Sequence, residues 1–245
     1  MNNTDAGNPA GSPAEPTSGE LRVLSYNVRS LRDGAGAVAG VIAACRPDVV
    51  CVQEAPRFLR WRSHCAALAR RSGLLVVCGG RTAGDTLLLA SLRMRVLDAR
   101  VVLLPRTRGL HRRGLALAVL EAGGARLGVA SVHLGLDADE RSRHAAHTLD
   151  HLARLGAAQL ALGGDLNEVP GEPAWQVLCS RLRDADPAGA AGAPTFPARS
   201  PRVRIDAVLI GGDVQATAYE LPAVPHVDVA SDHRPVLAVL RVPPG

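Results

Sequence analysis

Six places in this 245-residue chain put a polar, chemistry-bearing side chain at the end of an apolar run or inside one. Asn27 follows Leu-Ser-Tyr, Glu54 follows Val-Cys-Val-Gln, and His133 follows Ala-Ser-Val. Asp165 and Asn167 stand in Gly-Gly-Asp-Leu-Asn, Asp206 in Arg-Ile-Asp-Ala-Val-Leu-Ile, and Asp232 and His233 in Ser-Asp-His-Arg-Pro. Carboxylate and amide oxygens are the ligands that hard divalent cations prefer, and a carboxylate or an imidazole can move a proton at neutral pH. Gathered at one spot, such a set can hold a cation and activate a water molecule.

Taken singly, most of these residues have an ordinary structural explanation. Asn27 could cap a turn, Glu54 could be a solvated strand end, and His133 a hydrogen-bonded core histidine. Gly163 and Gly164 suit a tight turn that would account for Asp165 and Asn167, while Asp232 could cap a turn and leave His233 at the surface. Asp206 resists that treatment, because a carboxylate between Ile205 and Ala207 is expected to be partly buried and so needs a partner.

These positions fall at the ends of predicted elements. Apolar runs predict strands over 21–26, 48–52, 74–77, 86–90, 94–104, 115–121, 126–132, 159–162, 204–210 and 235–240. Helical spacing predicts helices over 37–45, 57–71, 139–155 and 173–181, with a glycine-bearing loop over 29–36 and an Ala/Gly/Pro-rich loop over 186–201. The strand-helix-strand opening is an α/β signature, and the middle strands, with little helix between them, predict antiparallel neighbours. No fixed-period repeat is present, which removes solenoid architectures. The expected fold class is α/β (α+β): two mixed sheets packed face to face with helices outside, so that distant strand ends can converge on one edge.

Composition narrows the function classes. Aromatic residues make up 2% of the chain, which argues against stacking platforms for single-stranded nucleic acid. All 28 basic residues are Arg, a skew that with abundant Ala, Gly and Leu reflects GC-rich coding, so the net charge of +5 carries little weight for nucleic acid or acidic lipid. Five scattered cysteines lack the paired spacing of zinc or redox motifs and read as small apolar residues in a reducing compartment. Residues 1–20 read as a disordered tail ahead of one domain over 21–245; with no secretory pattern and no bilayer-length apolar stretch, a cytoplasmic location is expected.

The ordered set of Ser-Tyr-Asn, Gln-Glu, Val-His-Leu, Gly-Asp-Leu-Asn, Ile-Asp and Ser-Asp-His-Arg-Pro resembles the endonuclease/exonuclease/phosphatase superfamily, and the likeness spans about residues 21–240. It implies a deoxyribonuclease I-like four-layer sandwich and hydrolysis of a phosphodiester or phosphomonoester by in-line attack of water. It further implies Mg²⁺, or Mn²⁺ in its place, on Glu54 with Asn27 and Asp232, and Asp165 as the residue activating the water. Asn167 would donate to the phosphoryl group, His233 would contact the phosphate with Asp206 behind it, and His133 would stabilise the phosphoryl or leaving oxygen. Arg113 lies near where relatives place a phosphate-contacting cation, although a solvated strand-entry charge is an equal alternative.

Asp85 stands where relatives often carry an amide, which brings negative charge near the phosphate path. Phe196, in Thr-Phe-Pro, reads as a loop anchor on the core in preference to a wall of the entrance. His144, His147 and His151 share a helix face but lack a fourth ligand, so a solvated face is expected in place of a zinc site. The implied partner is a phosphate-ester substrate, either nucleic acid, an inositide or a phospholipid head group, with no obligate protein partner evident. The competing function is a catalytically inactive or nucleic-acid-binding module that retains the fold.

Overall fold

The computed structural model describes residues 20–244. The expected tail lies outside them except for Glu20, which opens the first strand. The chain runs β1 (Glu20–Asn27), α1 (Ala35–Cys45), β2 (Val49–Gln53), α2 (Trp61–Arg71), β3 (Leu75–Gly79), β4 (Leu87–Ala90), β5 (Arg95–Leu103) and β6 (Gly114–Ala122). It continues through β7 (Ala125–His133), α3 (Ala138–Ala153), β8 (Leu160–Asp165), α4 (Pro173–Cys179), β9 (Arg183–Asp184), β10 (Asp206–Gly211), β11 (Gln215–Glu220) and β12 (Val236–Arg241).

The strands form two six-stranded sheets, in the orders β11-β12-β1-β2-β4-β3 and β5-β6-β7-β8-β10-β9. Each has one parallel pair at its centre, β1 with β2 and β7 with β8, because α1 and α3 supply the crossovers that parallel neighbours require. All other pairs are antiparallel. Alternation along the strands sorts the core into layers. Val23, Cys51, Leu88, Ala118, Val129 and Val208 pack between the sheets. Their neighbours Leu24, Val50 and Leu89 face Ile42 of α1 and Leu68 of α2, while Leu117, Ala130 and Leu209 face Leu152 of α3 and Trp175 of α4.

One edge of this sandwich collects the polar strand ends. β1, β2, β7 and β8 finish there, and their antiparallel neighbours β12, β4, β6 and β10 begin there. Gly163 lets the sheets close together beside that edge: a Cβ on it would sit 2.6 Å from Cβ of Cys51 in the facing sheet.

Three expectations are corrected. α2 starts at Trp61, not at residue 57, because Arg60 adopts left-handed backbone and residues 57–60 form a loop. β9 has only two residues, and β11 is a mostly exposed strand without an apolar run, so neither carries a hydrophobic signal. The Ala/Gly/Pro-rich loop contains one short 3-10 turn at Gly189–Ala191.

Candidate active site

Asp165 is the hub. As the last residue of β8 it lies in register with His133 on one side and Asp206 on the other. Its Oδ2 accepts from Nδ2 of Asn27 at 2.9 Å and its Oδ1 accepts from the Asn167 amide nitrogen at 3.0 Å. Oδ2 also lies 3.4 Å from Nε2 of His133 and 3.7 Å from Nε2 of His233. Asn167 takes left-handed backbone, which asparagine tolerates, and donates from Nδ2 to the Leu134 carbonyl at 2.9 Å.

Asp206 is fully buried, and both of its carboxylate oxygens face Nδ1 of His233, at 2.9 and 3.1 Å. A carboxylate only accepts, so Nδ1 carries a proton and Nε2 is the ring nitrogen turned toward Asp165. Burial opposes charge on His233, but Asp206, then Asp165 and Asp232, push its pKa up to about 10. Burial pushes the Asp206 carboxyl upward and the imidazolium pulls against it. With both oxygens on Nδ1, the ion pair is the form that the geometry favours. Phe196 packs against the His233 ring at a tilt of 46°, with centroids 4.8 Å apart, and lines the same pocket, so it is a wall of the site and not only a loop anchor.

Sequence reasoning did not place Asp85 among the functional groups. Nη1 of Arg113 lies 3.0 Å from Oδ2 of Asp85 and 2.8 Å from Nδ1 of His133, and all three side chains are buried. Nδ1 of His133 also lies 3.2 Å from Oδ2 of Asp85, so it can accept from Arg113 or donate to Asp85, and in either case Nε2 faces Asp165. Burial alone would raise the Asp85 carboxyl, but His133, Arg113 and Arg57 hold it below the ordinary carboxylate value. Arg113 is therefore not a solvated charge; it neutralises the aspartate that departs from the usual pattern. The readable signal was an acidic residue, Asp85, two positions ahead of the apolar run from Leu87.

Glu54 follows β2 with φ 50 and accepts from Nδ2 of Asn27 at 3.3 Å. Asp232 pairs with Nε of Arg29 at 3.1 Å, and the Arg29 amide nitrogen donates to Oδ1 of Asn27 at 3.0 Å. Glu54, Asp232, Asp165 and His233 line one pocket of about 430 Å³ together with Asp85, Arg113, His133, Asn167 and Phe196. All nine residues expected in the site meet there, Asp206 from behind His233 and Asn27 from beneath Glu54 and Asp165.

Glu54 and Asp232 offer carboxylate oxygens, which fit a hard divalent cation once Arg29 releases Asp232, whereas Asn27 turns Nδ2 to Glu54 while its Oδ1 accepts from the Arg29 amide. A second group, Asp165, Asp206 and His233, has ligand-type atoms within 4.8 Å of one another. It suits a proton better than a metal, because Asp206 is committed to Nδ1 and a protonated imidazole repels a cation. His144, His147 and His151 do not assemble a metal site: His144 is buried with Nε2 2.9 Å from the Pro105 carbonyl oxygen, so that part of the helix face is not solvated. Of the cysteines, Cys45, Cys51 and Cys65 are buried and Cys78 half-buried, whereas Cys179 is exposed, against expectation.

A family model described as the Endonuclease/Exonuclease/phosphatase family matches residues 24–233. Among solved structures, an endonuclease/exonuclease/phosphatase from Bacteroides vulgatus superposes with a TM-score of 0.78 at 18% identity, covering 91% of this chain and 99% of that one. The mannosyl-6-phosphatase Bt3783 of Bacteroides thetaiotaomicron gives 0.74 at 18% identity, covering 90% and 99%. D. rerio TDP2 complexed with single-strand DNA product gives 0.69 at 20% identity, covering 90% and 98%. No curated protein matches the chain in sequence. Identities this low speak to the fold and leave the reaction to the residues themselves.

Proposed function

The chain belongs to the endonuclease/exonuclease/phosphatase family, and from that premise we propose that it is a divalent-metal-dependent hydrolase of a phosphate ester, with Asp165 activating the attacking water. The observation that carries the reading is the position of Asp165, held by Asn27 and the Asn167 amide with two imidazole Nε2 atoms within 3.7 Å of its Oδ2. The two hydrogen bonds hold the carboxylate at the pocket wall, within reach of a water that could give it a proton.

Glu54, with Asn27 and Asp232, would hold Mg²⁺, or Mn²⁺ in its place. When bound, such an ion offsets charge on the phosphorus-bound oxygens as a Lewis acid. His233, kept protonated by Asp206, donates from Nε2 to a phosphoryl oxygen, and Phe196 limits the tilt of its ring. His133 turns Nε2 toward the phosphoryl or departing oxygen, while Arg113 and Asp85 hold the ring by Nδ1. Asn167 keeps one Nδ2 hydrogen beyond its bond to Leu134 and offers it to the phosphoryl group.

Hydrolysis of bis(p-nitrophenyl) phosphate and of plasmid DNA with Mg²⁺, run beside Asp165→Asn, tests the assignment. Turnover that depends on both the metal and Asp165 supports it, and equal residual turnover in the two proteins removes it.

A further inference from the structure

Between the two sheets, the central strands are apolar until close to the site and then turn polar. On this inward face β1 passes from Val23 to Ser25, β2 from Cys51 to Gln53 and β7 from Val129 to Ser131. Ser25, Gln53 and Ser131 are fully buried, and none of them lines the catalytic pocket. They form a polar layer one step beneath the strand ends that build it.

Hydrogen bonds cross the sandwich at this layer. Nε2 of Gln53, on β2, faces Oγ of Ser131 at 3.3 Å and the Gly163 carbonyl at 3.4 Å, both in the other sheet, and the Cys51 carbonyl of its own strand at 3.1 Å. Oγ of Ser131 donates back to the Val52 carbonyl at 2.9 Å. Gly163 brings the sheets near enough for this link, since an added Cβ would also lie 3.2 Å from Cβ of Ser25.

Stability alone does not explain the glutamine. Oε1 of Gln53 and Oγ of Ser25 are buried with no hydrogen-bond partner among the described residues. An acceptor left unsatisfied in the interior is destabilising, and an apolar side chain of the same length would avoid that. What Gln53 provides is a fixed relation between the sheets. The next residue, Glu54, takes left-handed backbone at φ 50, which is strained for a residue with a side chain and persists only where its surroundings hold it. The Ser30 amide donates to the Glu54 carbonyl at 2.8 Å on one side, and Gln53 anchors the chain on the other.

We propose that Gln53 is a positioning residue: by tying β2 to β7 and β8 it sets the separation between Glu54 on one sheet and Asp165 and His133 on the other. This rests on the phosphoesterase reading above, in which Glu54 holds the cation and Asp165 activates the water. Gln53 does not reach the pocket, so it acts through the aim of the Glu54 carboxylate.

Gln53→Met keeps the length of the side chain, removes its polar atoms and strands no donor. It is expected to melt at or slightly above the wild-type temperature. Its calorimetric affinity for Mg²⁺ should nevertheless weaken several-fold, and its kcat on bis(p-nitrophenyl) phosphate, per folded molecule, should fall about tenfold or more with KM nearly unchanged. Ser131→Ala removes the link from the other sheet and should cause a loss of the same kind. The double variant should lose little more than Gln53→Met alone, because the two side chains act as one connection. Wild-type Mg²⁺ affinity and kcat in Gln53→Met, losses that follow only the unfolded fraction, or additive losses in the double variant overturn the inference. Mg²⁺ binding is read without turnover, so a wild-type protein that binds the ion and hydrolyses nothing sinks the phosphoesterase reading separately.

Discussion

Asp206 holds His233 by a single ring nitrogen, with both carboxylate oxygens on Nδ1 and the opposite nitrogen left facing Asp165. Removing that charge should leave the ring in place and alter its protonation. Asp206→Asn is expected to lower kcat by about 10²-fold at neutral pH, the scale of one positioned proton donor. Its pH profile should lose the alkaline side first, because a smaller share of His233 remains protonated. A wild-type profile in Asp206→Asn would refute the pairing's role.

The same pair predicts how stability depends on pH. The folded-state pKa of His233, about 10, lies above the ordinary histidine value of 6.5. A raised pKa contributes stability that is complete below the unfolded value and is lost as pH rises through the folded one. Urea unfolding of the chelator-treated protein should therefore show the Asp206–His233 contribution shrinking from about pH 6.5 to about pH 10, with a smaller slope in Asp206→Asn.

Glu54→Gln separates metal from proton chemistry. Calorimetry should show divalent binding weakened at least about tenfold in Glu54→Gln and retained in Asp165→Asn, while both variants lose turnover. Wild-type activity should vanish with chelator and return with Mg²⁺ or Mn²⁺. An inert scaffold, the competing reading of the sequence, would show no Glu54-dependent heat.

Asp85 and Arg113 form a buried pair with side chains 6% and 9% exposed. Arg113→Met leaves a buried carboxylate with only His133 and Arg57 near it and should cost about 3–5 kcal/mol. Asp85→Asn added to Arg113→Met should recover much of that loss, since no unpaired charge remains. Chemical denaturation of both single variants and the double variant tests the coupling, and additive losses would count against it.

Much of this was legible because strands buried on both faces write themselves as apolar runs, and the polar residue that stops such a run marks the edge where strands end. Asp206 announced itself as an acid inside Ile-Asp-Ala-Val, and its partner His233 followed from the family resemblance. What stayed hidden is relational. Nothing near Arg113 in sequence says that it meets Asp85, 28 positions earlier in the segment ahead of β4, and an exposed strand such as β11 has no apolar rhythm to read. The loop ahead of α2 escaped notice because Arg57 to Trp61 has helix-compatible composition, and the left-handed Arg60 that breaks it is not a glycine.

The central place of β12 between β11 and β1 bears on how the molecule is born. Asp232 and His233 arrive just ahead of β12, whose partner β1 left the ribosome some two hundred residues earlier. Until that last strand slots in, a nascent chain holds Glu54 and Asp165 but lacks the imidazolium and one of the acids beside it. During synthesis the pocket therefore stays incomplete until Asp232 and His233 have emerged and β12 has paired with β1.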